Sequence, residues 1–214
     1  MSVRRHLCRS VAAALCVMPA LAQVWETGAT GGFGFYRDAA LSGTTGTGRA
    51  GFGARFALGA VAGRSLGEHF GIEGRYTFQD GDLEITSHGA EANLDGDASA
   101  FLGELVFSPL SRDAFLRPFV AAGAGVKIYR GTQEVPPDEP LMSLALLHHA
   151  TQAVSLLTYG GGVKLHFAPH WWLRLDLRDY VTPFPTRVIS AAPGARLQGW
   201  LHDFVPAVGI SWGR

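Results

Sequence analysis

The run Leu173-Arg174-Leu175-Asp176-Leu177-Arg178 alternates leucine with fixed charge. In an extended chain, residues two apart share a face, so two guanidinium groups and a carboxylate would project to one side. Two kinds of chemistry suit such a row. An arginine fork can bridge carboxylates from neighbouring strands, giving an ion-pair network; alternatively, the row could line a pore or hold a small anion. Following the polar phase of every other extended segment enlarges the set to Glu26, Arg55, Glu73, Arg75, Glu104, Lys127, Lys164, His166, Arg174, Asp176, Arg178 and Asp203. Fixed cations and acids are nearly balanced in it. Buried ions are tolerated only when paired and further hydrogen-bonded.

Three other groups of residues bear on chemistry. Ser211, His166 and Asp203 fall on the same polar phase and are the residue types of a nucleophile, a base and an acid. A site also requires hydrogen-bond reach between them. The segment from Asp80 to Asp97 carries Asp80, Asp82, Glu84, Glu91, Asp95 and Asp97, but lacks the regular spacing of a Ca²⁺ loop and reads as an acidic solvated hairpin. In "LMSLALLHH", Leu141, Leu144 and Leu147 are spaced for a short amphipathic helix. The adjacent His148 and His149 do not share a helix face as metal ligands would. No catalytic residue, metal site or cofactor is assigned.

The beginning of the chain is set apart from the rest. Arg4, Arg5 and Arg9 precede a short apolar core, and Ala20-Leu21-Ala22 offers a small-x-small cleavage site. This is the layout of a secretory signal peptide over residues 1–22, too short to span a membrane as a helix. Cys16 in the apolar core raises a lipoprotein anchor as the competing reading, but Leu15 is bulky where a lipoprotein peptidase takes a small residue. Cleavage after Ala22 removes both cysteines, leaving residues 23–214 as one domain without disulfide, thiol chemistry or thiolate metal site. Removing three of 18 basic residues leaves 15 against 18 acids, a formal charge of −3. No basic stripe marks a nucleic-acid partner.

These residues must be positioned by strands. Alternation with period two marks eight segments, near 26–36, 49–64, 70–80, 98–108, 117–129, 155–167, 171–181 and 201–212. Pro206 predicts a disrupted ladder or a bulge in the last of them. Short links around "GEH", "LSRDAF" and "APH" alternate with long ones, and within one long link "DLEITS" can pair with "EANLD". Charged residues make up 17% of the chain, against about 25% in average soluble domains, while glycines number 28. Low charge, abundant glycine and the lack of an apolar helix-length run after residue 22 point to a closed transmembrane barrel. Short turns at one end and long loops at the other are the outer-membrane pattern.

Aromatic residues crowd the strand ends. Trp25, Tyr36, Phe70, Phe78, Phe107, Tyr129, Phe167, Trp171, Tyr180 and Trp212 are expected to form girdles at the two headgroup levels. A soluble lipocalin-like barrel is the competing reading, disfavoured because the charges share the small-residue face. On these features the chain resembles the small outer-membrane β-barrel proteins of Gram-negative bacteria, the OmpA/OmpX-like group. The stretch "RLDLRDYVTPFP", after "YGGGVKLHFAPHWW", looks like the penultimate hairpin of outer membrane β-barrel domain proteins.

That resemblance implies an all-β, eight-stranded antiparallel up-and-down transmembrane barrel in the outer membrane. It implies a non-enzymatic role in envelope stability or in surface contact through the long loops. The partners implied are outer-membrane lipid, lipopolysaccharide, the barrel-assembly machinery and an extracellular ligand. A narrow porin-like channel and a lipid A-modifying acyl hydrolase are the alternatives. In an eight-stranded barrel side chains can fill the interior, so the polar set above is expected to form a salt-bridged plug.

Overall fold

The computed structural model describes residues 25–37, 39–43, 46–53, 55–81, 83–87, 90–131, 145–192 and 196–213. Fifteen strands occur among them: β1 (Trp25–Arg37), β2 (Ala39–Gly43), β3 (Gly46–Phe52), β4 (Arg55–Ser65), β5 (Phe70–Asp80), β6 (Leu83–Ser87), β7 (Ala90–Leu94) and β8 (Gly96–Phe107). They continue as β9 (Leu116–Gly131), β10 (Ala145–Leu147), β11 (Thr151–Ala168), β12 (Trp171–Pro183), β13 (Ile189–Ala191), β14 (Arg196–Gln198) and β15 (Trp200–Gly213). Eight of them close an antiparallel barrel in the order β1-β15-β12-β11-β9-β8-β5-β4, each beside its neighbours in chain order. The expected export segment, residues 1–22, lies outside the described residues.

Three tight connections, at 66–69, 108–115 and 169–170, define one end of the barrel. The first and last barrel strands also meet there, with Glu26 opposite Gly213. His170, at φ 70°, makes the tightest of these turns. Its carbonyl accepts from the Gly213 N–H at 2.9 Å, tying that turn to the end of β15. At the opposite end the chain builds a five-stranded sheet, β14-β2-β3-β6-β7, and a two-stranded one, β10-β13.

Two expectations change here. The segment 49–64 is not one strand: β3 leaves the barrel wall to pair with β2 and β6, and the wall resumes at Arg55. The helix expected from Leu141, Leu144 and Leu147 is not formed at its described end. Residues 145–147 are extended and pair with Ile189–Ala191, a tertiary pairing that overrides the local leucine spacing; residues 141–144 lie outside the described residues. The hairpin expected within the Asp80–Asp97 segment is present as β6–β7.

Period two decides which side chains go inward. On β12, Arg174, Asp176 and Arg178 are 0, 5 and 1% exposed, whereas Leu175 and Leu177 are 44 and 54% exposed. The barrel is therefore apolar outside and charged inside. Phe33, Phe56, Leu58, Ile72, Phe101, Leu105, Val120, Val126, Val208 and Ile210 continue the exposed apolar band around the wall. A soluble barrel would reverse this arrangement.

The seam between β1 and β15 carries the expected disruption at Pro206, which has no N–H to donate. Its pairs run from Glu26↔Gly213 to Gly32↔Ala207, lapse, and resume at Phe35↔Phe204 in unchanged register. The disruption is thus a gap and not a bulge. Gly32 permits the close approach: a Cβ there would lie 2.1 Å from the Pro206 carbonyl oxygen.

A second glycine makes room inside. A Cβ on Gly162 would meet the Leu175 carbonyl oxygen at 2.1 Å and Phe119 Cζ at 2.8 Å. Gly162→Ala is expected to lower the unfolding free energy by about 1–3 kcal/mol through overpacking. Gly103→Ala, where a Cβ meets nothing within 4 Å, should stay within about 0.5 kcal/mol. Urea titrations of the refolded barrel in lipid vesicles compare the two.

Candidate functional site

The charged interior begins at the short-turn end. Lys164 Nζ on β11 donates to Glu26 Oε2 on β1 at 2.5 Å, and Ser211 Oγ donates to the other oxygen of Glu26 at 2.8 Å. Arg174 reaches the same carboxylate at 3.2 Å and holds Glu73 with both terminal nitrogens, at 2.7 and 3.1 Å. Two parallel donors on one carboxylate form the strongest geometry available to such a pair.

Glu73 then leads inward to Arg75, 2.7 Å away. Arg75 also contacts Glu104 at 3.2 Å and Asp176 at 3.4 Å. Arg178 completes the chain of contacts, with Nε 2.8 Å from Glu104 and Nη1 3.5 Å from Asp176. Lys164, Arg174, Arg75 and Arg178 thus face Glu26, Glu73, Glu104 and Asp176, a network with no net formal charge. The buried ring of Phe119 lies among three of its cations, with Lys164 Nζ, Arg174 Cζ and Arg178 Cζ at 5.6, 5.6 and 5.3 Å from the centroid.

A second pair sits toward the long-loop end. Lys127 Nζ and Asp203 Oδ2 are 2.6 Å apart and both residues are fully buried. Tyr36 accepts from Lys127 at 2.8 Å and donates to Gln79 at 3.0 Å. The rings of Tyr36, Tyr129 and Tyr180 lie 4.8, 5.3 and 5.5 Å from the ammonium.

These tyrosines do not belong to a girdle. Tyr36, Tyr129 and Tyr180 share the inward phase of Glu26, Lys127 and Arg178, and their hydroxyls find partners inside the barrel. Tyr129 meets Thr182 at 2.9 Å, and Tyr180 meets Thr77 at 3.1 Å. The other aromatic positions point outward. Trp25, Phe70, Phe107, Phe167, Trp171 and Trp212 are exposed around the short-turn rim, and Phe78 is half-buried near the far end of β5.

One described member of the polar set stands apart from both groups of ion pairs. His166 stacks on Trp172, ring centroids 4.5 Å apart, near the short-turn rim. Arg55 opens β4, and its side chain lies outside the described residues.

Ser211, His166 and Asp203 do not come together as a nucleophile set. Ser211 is bound to Glu26 and Asp203 to Lys127, and the two are separated by eight residues of β15, roughly 26 Å. Among the described residues, no group of three His, Cys, Asp or Glu side chains is placed to hold a metal. In the acidic segment, Asp97 pairs with Arg130 at 3.3 Å; Asp82 and the side chains of Glu84 and Glu91 lie outside the described residues. His148 Nε2 is hydrogen-bonded to Ser190 Oγ at 2.7 Å.

Two small cavities lie beside the network. One of about 40 Å³ lies at the short-turn mouth beside Glu26, His69, Arg117 and Lys164. Another of about 10 Å³ lies at mid-height beside Arg75, Asp176, Arg178 and Tyr180. These are spaces for one or a few water molecules.

Sequence reasoning missed one arrangement. On the outer surface, Asp179 Oδ2 accepts from Tyr159 Oη at 2.6 Å and lies 2.8 Å from His202 Nδ1. Asp179 breaks the alternation that runs through β12, following Arg178 on the opposite phase. That off-phase charge was the available signal.

A closed, eight-stranded antiparallel cylinder with an apolar exterior and an ion-paired interior defines an integral outer-membrane β-barrel. The sequence agrees: it matches the outer membrane protein beta-barrel domain family over residues 10–186, and the chain belongs to that family. The same architecture is found in OprG from Pseudomonas aeruginosa, at a TM-score of 0.58 and 11% identity over 90% of this chain and 95% of that one. Neisserial surface protein A (NspA) follows, at a TM-score of 0.54 and 10% identity over 88% of this chain and 96% of that one. At such identities the likeness is one of fold. No curated protein sequence matches the chain. The protein is therefore placed in the outer membrane, crossing it with strands.

Proposed function

We propose that the protein is a non-enzymatic, non-conducting outer-membrane barrel that strengthens the envelope and offers its long-loop end for contact outside the cell. The observation that supports this reading is the network of four cations and four acids across the interior, with two spaces of about 40 and 10 Å³ beside it. A filled, charge-balanced interior resists both collapse and permeation. Export by the Sec route, cleavage after Ala22 and assembly by the barrel-assembly machinery belong to the same reading. So do partners drawn from membrane lipid, lipopolysaccharide and a ligand at the loops, with no role for nucleic acid.

Planar-bilayer recording of the refolded full chain tests it, with heat-modifiable gel mobility verifying the fold. Wild type is expected to give no discrete conductance steps, and Arg174→Ala, which opens the plug, to give small ones. Stable unitary steps from folded wild type would establish the narrow channel instead.

A further inference from the structure

The charges at the short-turn mouth do not balance as those deeper in the barrel do. Arg117 opens β9 on the inward phase and stands directly opposite Lys164 on β11. Side chains so placed have Cβ atoms about 5 Å apart, and like charges there repel. Lys164 is matched by Glu26. Arg117 pairs with no carboxylate among the described residues. Its Nε donates to Ser108 Oγ and its Nη2 to the Glu68 carbonyl, each at 3.0 Å, and both acceptors are neutral. The network beneath has no net formal charge, so Arg117 is a surplus cation. Arg112, in the adjoining turn, adds another, likewise held by a carbonyl, that of Gly67.

The Arg117 guanidinium is fixed in place. Ser108 Oγ, which accepts from it, donates in turn to the Pro118 carbonyl at 2.8 Å. His69 clasps the Ser108 backbone: its carbonyl accepts from the Ser108 N–H at 2.8 Å, and its Nδ1 donates to the Ser108 carbonyl at 2.9 Å. Two guanidinium nitrogens are thus tied to the turns, and Nη1 has no partner among the described residues. Arg117 is half-buried, and with Lys164 it lines the cavity of about 40 Å³. Glu26 and Glu73 line it too, but each already faces two cations, Lys164 and Arg174 for the first and Arg174 and Arg75 for the second. The space takes about three waters, or one tetrahedral oxyanion in their place.

We infer that the short-turn mouth binds a phosphate-type oxyanion between Arg117 and Lys164. Arg117 supplies a charge-assisted donor at Nη1, Lys164 the ammonium protons not given to Glu26, and Ser65 a hydroxyl at the edge of the cavity. The anion offsets the surplus charge and separates two cations that otherwise repel. Short turns of outer-membrane barrels face the periplasm, so the ligand arrives from that side. A soluble phosphate and the phosphate of an inner-leaflet phospholipid share the required chemistry. The inward phase of both cations favours the soluble one, because a lipid is confined outside the wall. The inference rests on the barrel fold but not on whether its lumen conducts.

The test is calorimetric titration of inorganic phosphate into the refolded full chain in maltoside micelles, which carry no phosphate, with chloride holding the ionic strength constant. Wild type is expected to bind one phosphate. Arg117→Gln is expected to bind it about tenfold or more weakly, through the loss of a charge-assisted hydrogen bond. Arg117→Lys, which keeps the charge without the fork, should fall between the two. Arg130→Ala, at an exposed cation toward the other end of β9, should bind as wild type does. Gel mobility verifies that each variant is folded. Should Arg117→Gln fail to fold, wild type alone still decides: phosphate, and not chloride at equal ionic strength, is expected to raise its urea midpoint. No binding by wild type, equal binding by folded Arg117→Gln, or a midpoint indifferent to the anion overturns the assignment. Displacement of phosphate by added phosphatidylglycerol overturns it in favour of the lipid headgroup. A conducting wild type that binds phosphate would sink the plug and leave this site standing.

Discussion

Arg174→Met is expected to lower the unfolding free energy of the refolded barrel by about 3–5 kcal/mol, the usual consequence of removing one partner from a buried ion pair. Arg174 is fully buried and contacts Glu26 and Glu73, with Asp176 Oδ2 at 3.5 Å from its Nε. Methionine fills most of the space but leaves the network one positive charge short, with the Glu73 carboxylate facing only Arg75. Urea titration of tryptophan fluorescence in lipid vesicles measures the loss. Adding Glu73→Gln restores the charge balance, and the double variant is expected to recover at least half of it, a coupling that independent sites would not show. An additive double variant would mean that the fork of Arg174 contributes by packing alone.

Leu175→Arg is expected to cost about 2–4 kcal/mol in the same vesicles, the penalty for a cation at the bilayer midplane. Leu175 is 44% exposed and lies four residues from Trp171, about 10 Å above the short-turn rim. In detergent, where water and headgroups approach the wall more easily, the cost should shrink. Leu175→Ala should cost far less in both. A change indifferent to the lipid would mean that this face does not meet hydrocarbon, and would restore the soluble-barrel reading of the sequence.

Much of this architecture is legible in the chain because a barrel wall is a local code. Each residue's phase decides lumen or lipid, and the strict alternation of Leu173 to Arg178 states that code directly. The errors arise where two local signals compete. Tyr36, Tyr129 and Tyr180 lie near strand ends, where aromatics usually gather, yet each shares its phase with a buried ion. Phase prevailed because a tyrosine hydroxyl turned toward lipid would lose the partners it finds on Lys127, Thr182 and Thr77.

The identity of the ion pairs could not be read in the same way. Which acid meets Arg178 depends on the stagger of strands whose residues are 74 positions apart in sequence. The break between Phe52 and Arg55 was hidden because the leaving segment and the wall share one alternating pattern. The polar patch around Asp179 was visible only as a departure from that pattern, and was completed once closure brought Arg37 opposite His202.

The sequence distances spanned by the network have a kinetic consequence. Glu26 and Lys164 are 138 residues apart, and Glu73 and Arg174 are 101 apart. Neither pair can form until strands from the first and second halves of the barrel are in place together. A lone hairpin entering the bilayer would carry unpaired ions, each costing about 2–4 kcal/mol for Arg or Lys at the midplane. Non-local contacts already slow folding through the entropy of closing long loops. Here the charges add to that barrier, so strand-by-strand entry is the slow route. The chain crosses the bilayer most readily as a nearly finished cylinder, and its insertion rate is tied to the moment at which the seam between β1 and β15 closes.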